Sequence, residues 1–196
     1  MVDWITNEAP RWLVLSVWII ANIILFVITY LWYLEADEYY YLRRLTGSVS
    51  LACARASAAC LKLNTMLILL PVCRKLISII RGSCACCPQP LRRQLDKAIT
   101  YHQYLAYMIC LHSAIHIGAH CFNFENLAEA QRAKGDDLRN YLSRLPFSPN
   151  GSWINPIRTT DPEPIQELFK TIAGISGVVI TLCLILIVTS STEIIR

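Results

Sequence analysis

Residues 98–124, AITYHQYLAYMICLHSAIHIGAHCFNF, run for 27 positions between Lys97 and Glu125 without a formal charge. A helix needs roughly 20 apolar residues to cross a bilayer core of about 30 Å, so this stretch is long enough to span. Its apolar residues are continuous rather than alternating, which argues against a barrel strand. Two further runs share the pattern, with 23 uncharged residues between Arg11 and Glu35 and 22 between Lys170 and Glu193. A fourth segment, 46–73, is nearly as apolar but contains Arg55 and Lys62. Only helices and closed barrels satisfy their backbone in lipid. Spans at about 12–34, 46–73, 98–124 and 171–192 therefore predict an all-α, polytopic membrane helix bundle with an outer loop over 125–170.

Composition supports that class. Of the 196 residues, 55% are apolar and 16% charged, against about 25% charged in a soluble domain. Such a chain is too hydrophobic to be disordered. With 7 Gly and 9 Pro it is not collagen-like. The net charge of +4 does not suggest nucleic-acid binding. The first span does not resemble a cleaved signal peptide: Asp3 and Glu8 spoil a basic leader, and Trp32, Tyr33 and Leu34 stand where small residues would be cut. It is expected to remain as an anchor, with Trp12, Trp32 and Tyr33 suited to the interfaces.

Loop charge sets the expected orientation. The short loop from Arg74 to Lys97 carries Arg74, Lys75, Arg81, Arg92, Arg93 and Lys97 against Asp96 alone. Short basic loops stay cytoplasmic, which predicts both termini inside. The segment 125–170 then lies outside, and the sequon Asn150-Gly151-Ser152 falls within it as a glycosylation site.

All four histidines lie in the third span. At about 100° per residue, with His102 at zero, His112 falls near −80°, His116 near −40° and His120 near 0°, so they share one face. His102 and His116 are separated by about 21 Å along the axis. Polar groups at such depth usually face the bundle interior and mark a pathway. The i,i+4 pairs His112/His116 and His116/His120 have zinc-like spacing, but only Cys110 and Cys121 are at hand to complete a shell. Two haems at two depths fit the His102/His116 spacing better, with the second axial ligand of each from another helix.

Arg55 is the second signal. A charge near mid-bilayer costs roughly 3 kcal/mol or more, and no Asp or Glu lies within the uncharged cores, so a haem propionate is a fitting partner. Arg74 closes the same span near the level of His102, where it serves either a second haem or the positive-inside rule. Lys62 reads as a snorkelling residue or a contact to another chain. Of nine cysteines, Cys53, Cys60, Cys73, Cys110 and Cys183 lie in spans and behave as small apolar residues. Cys84, Cys86 and Cys87 are candidates for palmitoylation. Ala173, Gly174 and Gly177 suit close helix packing.

Six segments stand out as motifs. They are Leu45-Thr46-Gly47-Ser48, Ala54-Arg55-Ala56, Leu67-Ile68-Leu69-Leu70-Pro71-Val72-Cys73-Arg74, Arg92-Arg93-Gln94-Leu95-Asp96, His112-Ser113-Ala114-Ile115-His116-Ile117 and Gly177-Val178-Val179-Ile180-Thr181-Leu182. These segments resemble the NADPH oxidase catalytic subunit, closest to its phagocyte and colon types. The resemblance covers the chain apart from the outer loop. It implies part of a ferric-reductase-like transmembrane domain that passes electrons from cytosolic NADPH and FAD across two haem b groups to oxygen, yielding superoxide. Carried over by position, His102 looks like the inner-haem ligand and His116 the outer-haem ligand. Arg55 and His120 look like catalytic residues beside the outer haem, where oxygen is reduced. His112 matches a family histidine whose use is a hydrogen bond or a proton path. Arg81, Arg92 and Arg93 resemble a docking loop for the dehydrogenase portion and cytosolic activator proteins. The family also implies a small membrane subunit as partner and a plasma or related membrane as location.

The family pattern continues past Arg196 with two more helices, which supply the second histidine of each haem pair, and with cytosolic FAD and NADPH domains. No Gly-rich dinucleotide motif occurs here. The chain is therefore expected to be a fragment or truncated product, inactive alone. Two alternatives stand beside the oxidase reading: a non-catalytic isoform that binds the small subunit, and a proton-conducting bundle built on the histidine face.

Overall fold

The computed structural model describes residues 8–83, 97–132 and 163–191. Asn150, Arg92, Arg93, Cys84, Cys86 and Cys87 lie outside the described residues. Every regular element described is helical. In chain order these are α1 (Ala9–Glu35), a 3-10 turn (Asp37–Tyr39), α2 (Tyr40–Thr46) and α3 (Ser48–Leu67). A second 3-10 turn (Leu70–Val72), α4 (Arg74–Ser83), α5 (Ala98–Arg132), α6 (Pro164–Lys170) and α7 (Ile172–Ser191) follow. Four helices are long and apolar enough to cross a membrane: Ala9–Glu35, Ser48–Val72, Ala98–Glu129 and Ile172–Ser191. The chain is thus a multi-pass helical membrane protein, and large side chains such as Leu13, Ile28, Ile180 and Leu186 stand exposed along its helices. In water such exposure would be a liability; in a bilayer it is the solvated face.

The chain divides into two units, 1–33 with 52–117 and 34–51 with 118–196. In the first, α3 supplies the core. Ala52, Ala54, Ala56, Ser57, Cys60 and Asn64 are essentially fully buried. Small side chains let helix backbones approach closely, which matters where lipid removes the hydrophobic drive between helices. One polar cluster joins α1 to α3 there. Trp18 Nε1 donates to Asn64 Oδ1 at 2.9 Å, and Asn64 Nδ2 donates to Asn22 Oδ1 at 2.6 Å. Asn22 Nδ2 in turn donates to the Trp18 carbonyl at 2.9 Å. The α-helical ladder of α3 ends at Leu67, and Pro71, which has no N–H to donate, sits in the 3-10 turn that follows.

In the second unit the α2–α3 corner is fastened to the far end of α5. Gly47 has φ +85°, a conformation L side chains rarely adopt, and a Cβ there would lie 2.7 Å from Asn126 Nδ2. That amide donates to the Thr46 carbonyl at 2.8 Å. Leu127 and Ala128 are buried, so α5 keeps a packed face beyond Phe124 and runs to Arg132. Good helix formers such as Glu125, Leu127, Ala128 and Glu129 continue it once the apolar run is over. At the start of α7, Thr171 Oγ1 accepts the Gly174 N–H at 3.0 Å, the capping arrangement that satisfies an orphan donor of the first turn.

Candidate haem-binding face

Within the first unit, α5 and α3 meet at two levels through histidine. His116 Nδ1 lies 2.9 Å from the Ala54 carbonyl, and His102 Nδ1 lies 3.0 Å from the Ile68 carbonyl. The two imidazoles are fourteen residues apart on α5, and the two carbonyls are also fourteen apart, Ala54 on α3 and Ile68 just past its end. Fourteen residues is close to four helical turns, so both contacts repeat the same side of each helix. A carbonyl can only accept. Each neutral imidazole must therefore carry its proton on Nδ1, which leaves Nε2 as the nitrogen with an in-plane lone pair. That is the arrangement of a metal-ligating histidine, whose other nitrogen is held by a carbonyl or carboxylate. Both side chains are half-buried. The Ile68 carbonyl follows the last residue of α3, where the regular ladder has ended ahead of Pro71.

The other two histidines differ. His112 is buried at 7% exposure, and its ring stacks on Phe26 at 6.0 Å between centroids. Phe26 stacks in turn on Tyr30 at 6.2 Å. His112 Nδ1 has no hydrogen-bond partner among the described residues. The shared face read from the helical wheel is thus divided, with His102 and His116 turned to α3 and His112 to α1. His120 belongs to the second unit and is exposed. Among the described residues no three His, Cys, Asp or Glu side chains converge as a metal cluster would require. The donor set is instead one imidazole per level, the kind a haem iron takes from a single helix.

Arg55 is exposed, and its guanidinium carbon lies 5.5 Å from the centroid of the Tyr33 ring. Among the described residues it makes this cation–π contact and no ion pair. The Tyr33 contact escaped the sequence reading, which placed that residue at the interface only. Arg74 begins α4 and Arg81 lies in its last turn, both exposed. Lys62 is exposed on α3.

A charged cluster stands at the His102 end. Glu8 Oε1 accepts from Lys97 Nζ at 3.0 Å, and Glu8 Oε2 from Arg11 Nη1 at 3.3 Å. Arg11 Nη2 donates to Tyr104 Oη at 2.7 Å. The Lys97 hydrogen bond, with the two positive charges, holds the Glu8 carboxyl below its ordinary value. Nothing in the sequence marks this link, because Glu8 and Lys97 stand 89 residues apart.

Residues 55–196 match the family of ferric reductase like transmembrane components. The chain is 48% identical over 193 residues to NADPH oxidase 3 of Rattus norvegicus, covering 98% of this chain and 34% of that protein. To NADPH oxidase 1 of Rattus norvegicus it is 46% identical over 198 residues, 100% of this chain and 35% of that protein. To NADPH oxidase 4 of Homo sapiens it is 36% identical over 194 residues, 99% of this chain and 31% of that protein. The chain spans about a third of the length of the curated relatives it matches.

Proposed function

The chain belongs to the ferric reductase like transmembrane component family, and from that premise we propose that it is the membrane electron-carrying portion of a superoxide-generating NADPH oxidase. The observation that carries this reading is the pair of histidines on α5 whose Nδ1 atoms are each held by a backbone carbonyl, Ala54 on α3 and Ile68 just past its end. Two haem b groups, when bound, supply one-electron carriage across the bilayer, between cytosolic NADPH and FAD on one side and oxygen on the other. His102 presents Nε2 to the inner iron and His116 to the outer. Arg55 offers a fixed positive charge to a propionate at the outer level, and its hold on Tyr33 aims the guanidinium. Arg74 offers the same at the inner level. His120, exposed on α5, is a proton donor at the site of oxygen reduction. Arg81, Arg92 and Arg93 dock the dehydrogenase portion and cytosolic activators, and a small membrane subunit packs against the helices. The working location is a plasma or related membrane with both termini cytoplasmic.

The reading is tested by reduced-minus-oxidised absorbance spectra of the protein purified from membranes. His102→Ala and His116→Ala are each expected to abolish one of two low-spin haem signals, and together both. Unchanged spectra in both variants would overturn the assignment.

A further inference from the structure

His116 has one neighbour that His102 lacks. Ser57 is completely buried on α3, and its Oγ lies 3.4 Å from His116 Nδ1. The hydroxyl has one proton to give. It lies 2.7 Å from the Cys53 carbonyl and 3.0 Å from that of Ala54, so the shorter contact takes the proton. With its proton given there, the Oγ has a lone pair left to accept from His116 Nδ1 on α5. The His116 N–H is thus shared between two acceptors, the Ala54 carbonyl at 2.9 Å and Ser57 Oγ at 3.4 Å. His102 Nδ1 has the Ile68 carbonyl at 3.0 Å as its acceptor among the described residues.

We propose that Ser57 is a positioning residue for His116, acting through Nδ1 to strengthen the outer imidazole as a donor and so to set the outer haem's potential apart from the inner one. The inference rests on the haem reading given above. A second acceptor on Nδ1–H pulls the proton from the ring and pushes electron density onto Nε2. Greater ligand basicity favours ferric over ferrous iron, so the acceptor lowers the potential of the haem that His116 holds. It also fixes the ring's rotation about its Cβ–Cγ bond, since two acceptors on one helix define a direction where one leaves a swing. Nothing else on α3 can do this at that level. Arg55 and Ala56 carry no acceptor side chain, and the Cys53 and Cys60 thiols are weak ones.

The experiment is a spectroelectrochemical titration of the haem-loaded protein as cells make it, comparing wild type, Ser57→Ala, Ser57→Thr and His116→Ala. Partners in this outer position change metal affinity about 10-fold or more. A 10-fold loss of ferric over ferrous preference raises a one-electron potential by about 59 mV. Ser57→Ala is expected to raise the outer midpoint by about that amount and leave the inner one in place. Ser57→Thr keeps the hydroxyl and is expected to restore the wild-type value. If His116→Ala removes a haem while Ser57→Ala moves neither midpoint, the positioning role is wrong and the haem assignment stands. If His116→Ala leaves both haems, the haem assignment itself fails and this inference with it. A Ser57→Ala variant that shifts both midpoints equally would mark a general loosening of the core and overturn the specific role.

Discussion

Glu8 divides its carboxylate between Lys97, at the threshold of α5, and Arg11, in the first turns of α1. Both contacts hold its pKa below the ordinary value, so the sign of its pH dependence follows. A carboxyl whose folded value is depressed stabilises fully above its unfolded value of about 4.3. That contribution is lost as the pH falls through the lower, folded value. Glu8→Gln should lower the thermal midpoint in detergent at pH 7, by a margin that shrinks with added salt because the group is only half-buried. The wild-type and variant midpoints should converge as the pH drops below about 4.3. A margin indifferent to both pH and salt would assign the effect to packing. The sequence offered no sign of this pairing. Glu8 could be read there only as a charge unsuited to a leader, and Lys97 only as part of a basic loop. A contact 89 residues long leaves no local pattern.

α3 shows at the scale of an element why the spans were legible and the anchors were not. Run length and missing charge are enough to find a membrane helix, and they found four. What both histidines meet at the shortest distance is backbone: the Ala54 and Ile68 carbonyls carry no signal in side-chain chemistry. Arg55 was expected to meet a haem propionate, and its contact to the Tyr33 ring 5.5 Å away carried no mark in the sequence. Arg55 and Lys62 set α3 apart from the other spans in the sequence, whereas its buried Asn64 is accounted for by the Trp18–Asn64–Asn22 cluster. That cluster yields a prediction. Asn64→Val leaves Trp18 Nε1 and Asn22 Oδ1 without their partner in a buried place. An unsatisfied buried polar group costs about 1–3 kcal/mol. Interhelical hydrogen bonds in membranes average about 0.6 and reach about 1.7 kcal/mol, because the unfolded helices find other partners. A loss of about 1–2 kcal/mol on unfolding in mixed micelles is therefore expected. Asn22→Ala and Asn64→Ala should be non-additive by about 0.5 kcal/mol or more when combined. Strict additivity would show that the two amides act separately.

The direction of electron flow in the proposed function is a property of the whole molecule, and it hangs on topology. In sequence α5 follows directly on the basic segment 74–97, and His102 lies in its first turns. His116 lies about four turns further along the helix. On the proposed reading, a cytoplasmic basic segment would put His102 on the side where electrons enter and His116 on the side where oxygen is reduced. If the chain were inverted, the same two ligands would serve in the opposite order, and Arg55 and His120 could not stand at an external oxygen site. The sequon at Asn150 separates these cases, since oligosaccharide transfer happens only on the lumenal face. Expressed in cells that glycosylate, the chain should carry one glycan that endoglycosidase removes and that Asn150→Gln abolishes, read as a shift on a denaturing gel. A sequon engineered between Arg81 and Lys97 should stay unmodified in the same cells. Modification of the engineered site with none at Asn150 would invert the topology and reverse the order of the two histidines. The charge asymmetry of the short loop favours the first result, because Lys and Arg close to a span end are what resist translocation.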